Sequence, residues 1–104
     1  MQLNQLEKRL EDLCLEILCD LRPCSIVDRQ KFDTLYNLLE EISVLLGTKT
    51  EISRRIVRDV FWIISQIQTQ IQYATGEDLK KLNEELDTLI YNLHTGGLFK
   101  SIDT

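Results

Sequence analysis

Four stretches of this chain repeat their apolar residues at steps of three and four, a period that lines one side of a helix and not one side of a strand. The stretches carry Leu3, Leu6, Leu10, Leu13 and Ile17; then Phe32, Leu35, Leu39, Ile42 and Leu46; then Ile52, Ile56, Val60, Ile63, Ile64, Ile67 and Ile71; and last Leu79, Leu82, Leu86, Leu89 and Leu93. Helix breakers stand between them. Pro23 removes a donor and pushes the residue before it out of the helical region. Gly47 stands where a left-handed residue closes a helix, Gly76 breaks the third stretch, and Gly96 with Gly97 ends the fourth. Ser25 with Asp28, Thr48 with Glu51, and Thr75 with Asp78 offer acceptors or acids to the open N–H groups at three helix starts.

These signals predict helices over about 3–21, 26–46, 50–74 and 77–95, with a tail at 98–104 that has no helical pattern. Short connections favour antiparallel neighbours, so the expected fold is an all-α antiparallel four-helix bundle. A length of 104 residues with 43% hydrophobic content supports one core, hence a single domain over 1–104. The first helix, set off by the proline, is expected to dock most loosely. Residues 67–73 also alternate with period two and are rich in β-branched side chains, which is a strand signature. A helix is preferred there, because an isolated strand among helices has no partner for its ladder hydrogen bonds.

The formal charge of −5 and pI near 4.8 argue against nucleic acid or anionic lipid as partners, since both repel an acidic surface. A protein partner is expected instead. Only residues 48–75 are net basic. No run of about 18 apolar residues is present, so no membrane span is expected. The N-terminus lacks the pattern of an export signal, and with three unpaired-looking cysteines, Cys14, Cys19 and Cys24, it suggests a cytoplasmic protein with reduced thiols.

Catalytic signatures are lacking, and the chain is read as a non-enzyme that needs no cofactor and no metal. His94 is the only histidine and falls at the end of the last helix, where the carbonyl end of the dipole favours it. The acid pairs Glu11–Asp12, Glu40–Glu41 and Glu84–Glu85 diverge by about 100° on a helix, and a di-metal site built on Glu-x-x-His needs more than one histidine. Phosphate-binding glycine motifs are missing.

The most informative surface is on the third helix. Arg54, Arg55 and Arg58 are followed by 60–75, which carries no charge. Projected at about 100° per residue, Arg55, Arg58, Trp62, Gln66, Thr69 and Tyr73 fall opposite Val60, Ile67 and Ile71. Tryptophan and arginine in a charge-poor surround make up the centre of many protein interfaces. The plainer reading has Trp62 over the edge of the bundle, covered by the first helix or the tail, with Arg58 stacked on its ring. In the tail, Leu98, Phe99 and Ile102 either fold back onto the bundle or are displayed.

The order of elements from Phe32 to Ile102 resembles the pediocin-like bacteriocin immunity proteins. The likeness rests on the Phe32 to Leu46 helix, the Gly47 turn, a long apolar helix running into Tyr73, a capped fourth helix, and Gly97, Leu98 and Phe99 opening the tail. The resemblance implies a non-enzymatic bacterial protein that recognises, from the cytoplasmic side, the membrane transporter serving as receptor for a pore-forming peptide. It also implies that the last helix and tail, here Leu93, Gly97, Leu98, Phe99 and Ile102, set specificity. The competing expectation is a small helical adaptor that self-associates or binds a partner helix through Arg55, Trp62 and Tyr73. The chain is expected to be a monomer or weak dimer; a monomer with a mobile tail fits the first reading, and a stable dimer with Trp62 shielded fits the second.

Overall fold

The computed structural model describes residues 2–22, 26–47, Lys49, 51–94 and Leu98. Four helices account for most of them: α1 (Leu3–Leu21), α2 (Arg29–Leu46), α3 (Arg54–Ile71) and α4 (Gly76–His94). The period of three and four is thus borne out in all four stretches. The strand signature at 67–73 yields to helix up to Ile71 and then to a turn, in which the Tyr73 and Ala74 N–H groups both donate to the Gln70 carbonyl.

The helix starts are more exact than the sequence suggested. Asp28 begins α2 by accepting from the Gln30 and Lys31 N–H groups at 3.1 and 3.3 Å, so the helix opens at Arg29 rather than at 26. At α3 the cap is Ser53, whose Oγ accepts from the Arg55 N–H at 3.1 Å, and the expected start near 50 moves three to four residues on. Thr48 and Thr50 lie outside the described residues. Gly47 and Gly76 have φ of +59° and +60°, a backbone region that side-chain-bearing residues rarely enter.

One stripe from each helix meets in the centre. Leu6, Leu10, Cys14, Ile17 and Leu21 face Phe32, Leu35, Leu38, Leu39 and Ile42, together with Ile56, Val60, Ile63, Ile67, Leu82, Leu89 and Leu93. Each large side chain so buried contributes roughly 1.5–3 kcal/mol. Cys14 replaces the expected Leu13 in the stripe, and Leu13 is only partly buried. Leu98 is buried in the same core.

The order of helices around the bundle differs from the simplest circuit. The packed pairs are α1 with α2, α1 with α3, α3 with α4 and, less extensively, α2 with α4. Consecutive α2 and α3 therefore sit across a diagonal. α3 starts late because the cap that satisfies its first open N–H groups is Ser53. Successive helices still alternate in direction. Lys31 near the start of α2 pairs with Asp20 near the end of α1 at 2.8 Å, which makes α1 and α2 antiparallel. Along α3, Arg55 and Arg58 reach Glu11, while Gln66 and Thr69 line a groove with Leu18 and Arg22, so α1 and α3 are parallel neighbours. The expectation of a loosely docked first helix is overturned, because α1 shares the two most extensive contacts of the molecule.

Candidate protein-recognition site

Parallel packing of α1 and α3 sets the geometry of the candidate surface. Glu11 projects from the third turn of α1 toward the start of α3 and receives two guanidinium groups, Arg55 at 2.7 Å and Arg58 at 3.2 Å. The Arg55 hydrogen bond is the largest influence holding the Glu11 carboxyl below its ordinary pKa. Arg58 also donates to Oδ1 of Asp59 at 3.2 and 3.4 Å, and its guanidinium carbon lies 5.2 Å from the centre of the Trp62 ring. The same arginine thus ties α1, a buried acid and the indole together.

Trp62 is 46% exposed, so it lies at the rim with one side against the bundle. Below it is a pocket of ≈ 140 Å³ lined by Glu11, Cys14, Leu15, Leu18, Arg58, Asp59 and Trp62. A neighbouring groove of ≈ 380 Å³ continues along Leu18, Arg22, Trp62, Ser65, Gln66 and Thr69. Leu18 and Trp62 are shared, so the two form one channel between α1 and α3 with Arg22 at its far end. Asp59 is 2% exposed, and its Oδ2 has no hydrogen-bond partner. Burial raises the Asp59 carboxyl pKa, with Arg58 pulling the other way. Cys14 is pushed up to about 12 by burial and then by the Asp59 charge, which leaves it an unreactive thiol.

The residues singled out in sequence divide into three groups. Arg55, Arg58, Trp62 and Gln66 are brought together beside α1 as described. Tyr73 lies in the turn after α3 at 79% exposure, outside the lining of the channel. Leu93 and Leu98 are 3% and 4% exposed, so both serve the core and neither offers a side chain to a partner here. The physical reason is that Leu93 continues the buried stripe of Leu82 and Leu89. Gly97, Phe99 and Ile102 lie outside the described residues. His94 ends α4 and is exposed. The plainer expectation for Trp62, an edge position with Arg58 on its ring, matches the geometry.

Glu11, Leu15, Leu18 and Asp59 were not anticipated. Asp59 did leave a trace in the sequence, as it falls three residues after Ile56 and four before Ile63, on the buried stripe itself. Glu85 leaves the same trace between Leu82 and Leu89, and it too is buried, at 1%. Tyr36 donates its hydroxyl proton to Oε2 of Glu85, while Arg29 approaches Oε1 to 3.8 Å. Nothing in the sequence pairs Glu11 with residues more than forty positions away.

Among the described residues no group of three or more His, Cys, Asp or Glu side chains is placed to hold a metal ion, and no helix is long and apolar enough to cross a membrane. Comparison with protein-family models, curated proteins and solved structures finds no match.

Proposed function

We propose that this chain is a non-enzymatic protein-recognition module of the bacteriocin-immunity kind that its sequence resembles, working at the cytoplasmic side of a membrane transporter that serves as toxin receptor. The observation that carries the recognition half of this reading is Trp62. It is half exposed, held by a stacked arginine, and set at the junction of two lengths of a mostly uncharged channel. A large aromatic fixed before binding loses little entropy on contact, which is why such residues dominate the energetics of interfaces.

The sequence resemblance supports the immunity half. With Leu93 and Leu98 in the core, the reading places the contact surface on the α1–α3 channel rather than on those two residues. The test is expression of the protein in a strain sensitive to pediocin-like peptides. Expected is a gain of resistance to at least one peptide, lost with Trp62→Ala while circular dichroism of that variant stays helical. No protection against any peptide in a representative panel overturns the immunity reading. Protection that survives Trp62→Ala overturns the channel as its contact surface.

A further inference from the structure

The pocket beside Trp62 is short of a positive donor. Asp59 is 2% exposed, and Arg58 donates only to its Oδ1; among the described residues Oδ2 receives nothing. A buried carboxylate oxygen in that state has given up its hydration without replacement. Glu85 also leaves one oxygen without a hydrogen bond, but Arg29 stands 3.8 Å from it and meets the charge within the chain. The charged residues lining the Trp62 pocket are Glu11, Arg58 and Asp59, two acids against one base. Arg55 also meets Glu11, but its side chain is 53% exposed and stands outside the lining. The rest of the wall is Cys14, Leu15, Leu18 and the indole.

Building on the reading of this channel as a recognition surface, we propose that the pocket takes a lysine side chain of the partner protein. Its ammonium donates to Oδ2 of Asp59, and its methylene stem lies against Leu15, Leu18 and the Trp62 ring. At ≈ 140 Å³ the space suits a single side chain, since a cavity of about 150 Å³ holds a benzene-sized guest and cofactor sites run to roughly 300 Å³ or more. The neighbouring groove of ≈ 380 Å³, past Leu18 toward Arg22 and Thr69, has room for the residues beside that lysine. The occupant is therefore a protein segment and not a free amine.

Chemistry separates lysine from other donors. A hydroxyl or an amide would supply the hydrogen bond and leave the excess negative charge of the lining in place, whereas an ammonium corrects both. Arginine presents a planar fork that seeks two oxygens at once. Only one is open here: Oδ1 of Asp59 is held by Arg58, Oε2 of Glu11 by Arg55 and Arg58, and Oε1 of Glu11 faces Lys8 at 3.7 Å. A compact ammonium on a flexible apolar stem matches a single acceptor beside an apolar wall. Because Oδ2 is sealed from water, entry requires side chains to turn aside, and Leu15, Arg58 and Trp62 are each about half exposed and free to do so.

The Trp62 indole N–H resonance, followed by NMR during titration, tests this with Nα-acetyl-lysine N-methylamide, n-butylammonium, n-butylguanidinium and 1-butanol. Expected is saturable binding of the lysine amide with a dissociation constant on the order of 1–10 mM, as fits so small a ligand. It should bind at least as tightly as n-butylammonium, and the guanidinium and the alcohol at least about fivefold more weakly. Asp59→Asn, which keeps the shape of the side chain, should weaken lysine binding at least about tenfold while circular dichroism stays helical. Leu15→Lys, at an exposed position of the wall, should supply the ammonium from within and abolish binding. The proposal is overturned by the absence of saturable binding, by equal affinity for 1-butanol, or by binding unchanged in Asp59→Asn or Leu15→Lys. Tighter binding of the guanidinium overturns the choice of lysine, and exclusion of the lysine amide while n-butylammonium binds overturns the choice of a protein segment. No binding of the lysine amide alongside Trp62-dependent toxin protection sinks this proposal alone; binding without any protection sinks the immunity reading alone.

Discussion

Two carboxylates, Asp59 between α1 and α3 and Glu85 between α2 and α4, are buried to the same degree and each keeps one oxygen without a hydrogen bond, but the groups that satisfy their other oxygens differ. Glu85 is closed in by a hydrogen bond from Tyr36, whose ring also packs 6.2 Å from that of Phe32 in the core. Burial, followed by the bond to Glu85, raises the Tyr36 phenol, so the proton stays on tyrosine and the donor role is fixed. Asp59 has no such closed partner. Its arginine is shared with Glu11 and Trp62, and open space lies beside it. One acid pins two helices together, and the other belongs to a surface whose parts can be rearranged by a partner. The lesson is that burial alone does not assign a role to an acid; the mobility of what satisfies it does.

The largest effect expected on this contrast is at the pin. Tyr36→Phe leaves the buried Glu85 carboxylate without its donor and should lower unfolding free energy by about 3 kcal/mol, read by urea denaturation. Adding Glu85→Leu to that variant should recover most of the loss, because the uncompensated charge goes with it. A loss below about 0.5 kcal/mol in Tyr36→Phe would erase the distinction between the two acids.

Arg58→Ala comes next, at about 1–2 kcal/mol, since it removes the one partner of a buried oxygen together with the stack on the indole. The single tryptophan should report the change as a red shift in emission. If the emission is unmoved, Arg58 does not hold the ring. A smaller effect of opposite sign is expected from Asp59→Asn, which keeps an acceptor for Arg58 but removes the buried charge. Stability at neutral pH should rise by up to about 1 kcal/mol.

The same substitution sharpens the pH dependence. Burial raises both Asp59 and Glu85 above their ordinary values of 3.8 and 4.5, so the folded state holds their protons more tightly than the unfolded chain does. Their contribution is fully present below those ordinary values and is lost as pH climbs through the raised ones. Glu11 runs the other way: its carboxyl is lowered from 4.5, and the stability it confers is lost as pH falls through the lowered value. Melting temperature should therefore rise on acidification from neutrality and fall again at lower pH. The acid-side rise should shrink in Asp59→Asn, and an unchanged profile would mean that this carboxyl does not titrate in the expected direction. Smallest of all, Arg55→Ala should lower the melting temperature only slightly, a loss that fades in high salt, because its ion pair with Glu11 is solvent-exposed.

How far the sequence carried the fold can be judged from particular residues. Ile56, Ile63 and Ile67 were legible because a helix of period near 3.6 must bury a stripe, and the same period hid Asp59 and Glu85, since an acid on that stripe was passed over in favour of an apolar neighbour, Val60 or Leu86. Local chemistry pointed to a start of α2 just after Ser25 and to Thr48 with Glu51 for α3, whereas the caps are Asp28 and Ser53, each three to five residues further on. The candidate site was half legible. Arg55, Arg58 and Trp62 share one helix and one face, so projection finds them. Glu11, Leu15 and Leu18 come from the first helix, far back in the chain, and which helices become neighbours is settled by packing across the whole bundle.

That diagonal arrangement also bears on the order in which the molecule can be assembled. The helix made first finds its most extensive contact with the third, and the ion pairs between them span 44 and 47 residues. A growing chain can close the α1–α2 hairpin early, yet that hairpin would still present the flank of α1 carrying Cys14 and Leu18 to water until α3 has been synthesised. The interval before α3 arrives is when this protein is most exposed to misassociation, and any change that speeds the docking of α3 onto α1 would shorten it.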